Sequence, residues 1–196
     1  MKEKNSVRKL AVMAMLVAVS VVLTFFIHFP LFPAASFLEY DPADIPIFIG
    51  TFLFGPVSGL LLTVVTSVVQ GLTVSASSGP IGILMHIFAT GSFALIAGNL
   101  YRRLHTRKGA VLSLIVGTLS ITAMMVLWNL VFTPIFMGQP IEAVKAMLVP
   151  VIIPFNLLKA GVNSLITFLV YKRVSVFVER MGLITLDSAD KIRYNN

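Results

Sequence analysis

The chain has no cysteine and little charge: of 196 residues, only 12% are Asp, Glu, Lys or Arg. Without cysteine there are no disulfides, no thiolate chemistry and no Cys-ligated metals. Charge is also unevenly spread, with no Asp, Glu, Lys or Arg between Ile45 and Tyr101 and none between Gly109 and Ile141. Several segments are therefore long and apolar enough to cross a bilayer. With 57% hydrophobic residues and a mean hydropathy of +0.95, the composition lies outside the range of soluble domains.

Two further absences narrow the chemistry. No G-x-x-x-x-G-K-[ST] loop is present to cradle nucleotide phosphates, so energy for any transport must come from elsewhere. The three histidines, His28, His86 and His105, lie far apart and none forms H-E-x-x-H, so no metal site is expected. The net charge of +7 does not indicate nucleic acid, because the basic residues cluster at the ends of apolar spans and form no reading motif.

The apolar stretches predict an all-α, polytopic membrane protein of six transmembrane helices in one membrane domain, at about 8–29, 45–55, 57–74, 81–103, 110–134 and 149–172. The first follows "MKEKNSVRKL" and continues through Phe29. That is longer than a signal-peptide core, so it reads as a retained helix. Gly55-Pro56 divides the second span from the third, since proline supplies no backbone donor and obstructs the preceding turn. Lys2, Lys4, Arg8 and Lys9 precede the first span, Arg102, Arg103, Arg107 and Lys108 follow the fourth, and Lys172, Arg173 and Arg180 follow the sixth. Six crossings put all three clusters on one side, with both termini cytoplasmic. Glu39, Asp41 and Asp44 then fall in a loop on the opposite face, and the polar segment 182–196 is expected to be a flexible tail.

"PFNLLKAGVNS", residues 154–164, interrupts this apolar background. Asn156, Lys159 and Asn163 stand at i, i+3 and i+7, along one stripe of a helix. A lysine near mid-membrane costs on the order of 2.5 to 3.5 kcal/mol and lies too deep to reach water by extension alone. Two readings follow: Lys159 ties the bundle together by pairing with Asp41 or Asp44, or the stripe lines a pocket in which ammonium and amides meet the polar edges of a ligand. Asn129, in the fifth span, could supply a further amide. His86, also within a span, reads either as a hydrogen-bonded packing residue or as a ligand contact. The segment "SASSGP" at 75–80 reads as a plain turn or as a lid. In the first helix Ala11, Ala14 and Ala18, with the A-x-x-x-A pair Ala14 and Ala18, allow close approach of another helix, within the chain or from another subunit.

Together, "LEYDPADIP" at 38–46, "FGP" at 54–56, "GILMHIFATG" at 82–91, "PFNLLKAGVNS" at 154–164, "YKR" at 171–173 and the first helix resemble the substrate-binding (S) components of energy-coupling factor (ECF) vitamin transporters, of the riboflavin-specific type, over roughly residues 8–175. The resemblance implies a cell-membrane subunit, not an enzyme, that captures riboflavin or a related flavin from outside. It also implies work with a transmembrane coupling subunit and two ATPase subunits, with riboflavin as transported ligand and no cofactor. Asn129, Asn156 and Lys159 would hold polar edges of the ligand. The loop carrying Leu38, Tyr40 and Asp44 and the loop carrying Ser78 and Gly79 would close over it, while Ala14 and Ala18 would dock on the coupling subunit. An S component for pantothenate or thiamin, or a stand-alone secondary transporter, are the alternatives. The latter usually needs intramembrane carboxylates, and every carboxylate here is expected in a loop or tail.

Overall fold

The computed structural model describes residues 2–32, 35 and 37–180, so the tail expected to be flexible lies outside the described residues. Helices dominate: α1 (Lys2–Phe26), α2 (Asp44–Phe54), α3 (Pro56–Leu72), α4 (Gly79–Leu104), α5 (Arg107–Met137), α6 (Ile141–Met147) and α7 (Ile153–Arg180). A 3-10 turn, Ala76–Ser78, leads into α4, and a π-helical turn, Leu148–Ile152, joins α6 to α7. The strands β1 (Phe29–Pro30) and β2 (Glu39–Tyr40) pair antiparallel, Phe29 opposite Tyr40.

Helix ends follow local chemistry. Gly55 separates α2 from α3 with φ 87° and ψ 174°, a conformation open to glycine, and Pro56 then opens α3 where its missing N–H costs nothing. The Thr106 side chain caps α5 by accepting from the Gly109 amide at 2.9 Å. The first helix stops at Phe26, not 29, because Phe29 and Pro30 leave it to pair with β2. The last helical run starts at Ile141, well before the expected 149. The π turn falls where Pro150 and Pro154 each withhold a donor from the i→i−4 ladder, which accommodates the loss by shifting register.

Four helical stretches are long and apolar enough to span a membrane: 6–26, 76–104, 107–137 and 141–180. Helices α2, with 11 residues, and α3, with 17, are shorter. Large apolar side chains such as Val22, Leu61, Ile96, Ile115, Leu119 and Leu165 point outward, while Thr63, Ser113, Asn163 and Thr167 are fully buried. This is the arrangement of a bundle in lipid, where burying Leu gains little and polar or small residues hold helices together. The hydroxyls satisfy themselves on the preceding turn, Thr63 donating to the Gly59 carbonyl and Thr167 to that of Asn163. Phe48 of α2 stacks on Phe93 of α4 with ring centroids 3.6 Å apart, and a side chain at Gly117 of α5 would collide with the same Phe93 ring.

Candidate functional site

The short α2 positions the site. At about 1.5 Å per residue it is roughly 16 Å long, half a bilayer core. The segment before it folds into the bundle against α7. Asp41 turns the chain by accepting from the Ala43 amide at 3.0 Å, which brings its second oxygen to 2.7 Å from Lys159 Nζ. Lys159 also donates to the Glu39 carbonyl at 3.2 Å. Asn163, one turn further along α7, donates to the Asp41 carbonyl at 3.2 Å and accepts from the Tyr40 hydroxyl at 3.1 Å. Burial, and after it the nearby Asp41 carboxylate, push the Tyr40 phenol above its usual pKa, so it stays protonated and donates.

Asp44 corrects the expectation that every carboxylate lies in a loop or tail. It is the first residue of α2, 3% exposed, and accepts from Thr90 at 2.8 Å while facing His86 Nε2 at 3.0 Å. Its second oxygen stands 3.5 Å from the Asn163 amide nitrogen. His86 Nδ1 contacts the Ser67 hydroxyl at 2.8 Å. Side chains from α2, α3, α4 and α7 thus form one connected network. Glu142 and Glu179 likewise lie within helices α6 and α7.

This network borders a cavity of about 190 Å³. Lys159 both pairs with Asp41, at 2.7 Å, and lines this cavity, which is large enough for several waters. Seven of the ten ligand residues expected from sequence line this cavity: Leu38, Asp44, Ser78, His86, Asn129, Asn156 and Lys159. They come from the loop before α2, α2 itself, the turn before α4, and helices α4, α5 and α7. Tyr40, Gly79 and Asn163 do not line it. Asn163 is fully buried behind the wall, its amide engaged with Tyr40, Asp41 and Asp44. Ala14 and Ala18 are exposed on the outer face of α1, beside exposed Met15, Val19 and Val22.

The lining includes residues that sequence reasoning missed. On α5, Ile121, Met125, Asn129 and Thr133 all face the cavity, a strict i+4 series that could have been extended from Asn129. On α3, Ser67, Gln70 and Gly71 form a similar stripe. His28 and Glu39, 2.7 Å apart, also line the cavity but carried no local signal, because the β1–β2 pairing brings them together. Phe155 lies on the wall, whereas Trp128 stacks on Phe88 and Phe132 and does not line the cavity.

Hydrogen-bonding capacity remains toward the interior. Asn156 uses one amide hydrogen on the Ile152 carbonyl. Asn129 uses one on the Met125 carbonyl and accepts from Thr133. Lys159 carries three ammonium hydrogens and donates to two acceptors, the Glu39 carbonyl and Asp41. Among the described residues, each therefore keeps at least one donor for a guest, and both asparagines keep acceptor capacity. Apolar walls with a few convergent polar groups suit a flat, polar-edged small molecule.

A helical bundle built for lipid and enclosing such a cavity, with no cluster of metal-binding side chains among its described residues, defines a small-molecule-binding membrane protein. Residues 8–171 match the family model of the substrate-specific component of ECF transporters. The chain belongs to this family, whose members are transport components and not enzymes. It is 31% identical over 180 residues to the riboflavin transporter RibU of Staphylococcus aureus, covering 89% of this chain and 94% of that one. It is 28% identical over 182 residues to the riboflavin transporter FmnP of Bacillus subtilis, covering 89% and 95%. A solved S component of a bacterial ECF transporter superposes with a TM-score of 0.75 at 30% identity, over 88% of this chain and 98% of that one.

Proposed function

We propose that this chain is the riboflavin-binding subunit of an ECF importer of the cell membrane, capturing the vitamin in the cavity beside Lys159. The observation that carries this reading is the convergence of Asn129, Asn156 and Lys159, from two helices, on one cavity with apolar walls. The flavin ring is apolar on its faces and carries carbonyl and imide groups along one edge, which match amide donors and acceptors and an ammonium. The names of the relatives support the choice of vitamin.

In this reading the chain forms one membrane domain of six crossings, with α2 and α3 as the second and third. The cavity opens outward, and the basic ends of α1, α4 and α7 lie on the cytoplasmic side together with both termini. The segments around Leu38–Asp44 and Ser75–Pro80 cover the ligand. The exposed small-residue face of α1, at Ala14 and Ala18, docks on a transmembrane coupling subunit that works with two ATPases. Titration of the detergent-purified protein with riboflavin, followed by quenching of flavin fluorescence, tests the assignment. Saturable one-to-one binding that excess pantothenate or thiamin does not displace is the expected result. Binding of either of those vitamins without riboflavin binding would refute it.

A further inference from the structure

The ionisable side chains around the cavity do not balance. His28 between α1 and β1, Glu39 in β2, Asp41 in the turn beyond it, Asp44 on α2, His86 on α4 and Lys159 on α7 all line it. The lining residues from α3 and α5 are neutral, including Ser67, Gln70, Asn129 and Thr133. Three carboxylates thus face one ammonium, and with neutral imidazoles the cavity carries two negative charges in excess.

The carboxylates are not equivalent. Asp41 is paired with Lys159 at 2.7 Å, and Asp44, its side chain only 5% exposed, is held by His86 and Thr90. Among the described residues, the Glu39 side chain has His28 as its partner, at 2.7 Å, and is 30% exposed. It stands nearest to water of the three.

We propose that this excess charge makes the cavity select uncharged flavin over anionic flavin, and that Glu39 is the residue setting the selectivity. The inference rests on the riboflavin reading above. A phosphomonoester at the end of the flavin side chain brings close to two negative charges at neutral pH into a space already negative. In a partly desolvated cavity like charges several ångströms apart repel appreciably, so the phosphorylated ligand loses affinity that the neutral one keeps. The same field disfavours carboxylate-bearing vitamins.

The test compares riboflavin with flavin mononucleotide on the full-length purified protein, wild type and Glu39→Gln. Glutamine keeps the backbone carbonyl that Lys159 uses and can still accept from His28. At about pH 8, where an ordinary imidazole is neutral, the wild type should bind riboflavin at least about tenfold more tightly than the mononucleotide. Glu39→Gln should narrow that ratio about fivefold or more, and raising ionic strength should narrow it in the wild type. Lowering the pH to about 5.5 should also narrow it, as the phosphate approaches a single charge. Equal affinities in the wild type at the higher pH would overturn the proposal. So would a ratio indifferent to salt and pH, which marks exclusion by shape and can be read even if Glu39→Gln fails to fold. Absence of riboflavin binding in the wild type would instead sink the functional reading, and this inference with it.

Discussion

Asn156 and Asn163 sit seven residues apart on the same face of α7, yet they have different work. Asn156 lines the cavity and spends a single amide hydrogen on its own helix, so its remaining hydrogen-bonding capacity is open to a guest. Asn163 has no cavity surface and binds three residues of the segment entering α2. Asn156→Ala should therefore weaken riboflavin binding by about tenfold or more, the worth of one or two hydrogen bonds, with a nearly unchanged melting temperature. Asn163→Ala should lower thermal stability markedly, because a buried hydroxyl and a buried carbonyl lose their partner at about 1–3 kcal/mol each. Thermal melts and flavin titrations on both variants separate the roles; equal effects of the two on affinity, with equal stability, would contradict the division. Lys159 carries both roles. Lys159→Ala removes a donor from the cavity and strands the Asp41 carboxylate, so it should lose affinity and stability together. Asp41→Asn, which leaves the ammonium in place, should cost less affinity than Lys159→Ala.

At the scale of elements, much of the helical layout is legible in the chain because its causes are local. The Gly55-Pro56 break, the starts of α4 and α5 and the apolar stretches all follow from backbone chemistry and from the length a bilayer demands. What sequence reasoning missed has non-local causes. The end of α1 is set by pairing with β2, thirteen residues later, and the burial of Asp44 is set by acceptance of donors from α4 and α7. The early start of the last helical run was obscured by Glu142 and Lys145, whose charges end the apolar run before Leu148, whereas Pro150 and Pro154 are absorbed by a π turn. In the candidate site, the asparagines and Lys159 stood out as polar residues in an apolar run. Ser67, Gln70 and Thr133 did not, since a lone Ser, Thr or Gln in such a helix commonly only back-bonds or packs.

Helix α1 makes a separate prediction at this scale. Its buried side chains Val12, Met13, Leu16 and Ser20 face the bundle, while Ala14 and Ala18 face outward. Replacing both alanines by tryptophan should abolish riboflavin uptake in cells carrying the partner subunits and leave riboflavin binding by the purified protein unchanged. Loss of binding in the double variant would place those alanines in the internal packing instead.

Among the described residues, a small-residue interior holds the helices closely, and the short α2 leaves space beside the segment that precedes it. The polar groups bordering that space belong largely to one network, from Lys159 through Asp41, Asn163 and Asp44 to His86 and Ser67. A buried network of this kind holds its side chains in fixed geometry and so prepares the wall before a ligand arrives. Because the chain carries no nucleotide-binding loop, vesicles containing it alone should bind riboflavin without ATP-dependent accumulation, which should appear only when coupling and ATPase subunits are added. ATP-driven uptake by the isolated chain would contradict this division of labour.

The most direct measurement is an experimentally determined structure of the purified protein with riboflavin. The account predicts the flavin ring within the cavity, its polar edge within hydrogen-bonding distance of Asn129, Asn156 or Lys159. A flavin bound elsewhere on the bundle, with this cavity holding only water, would contradict it.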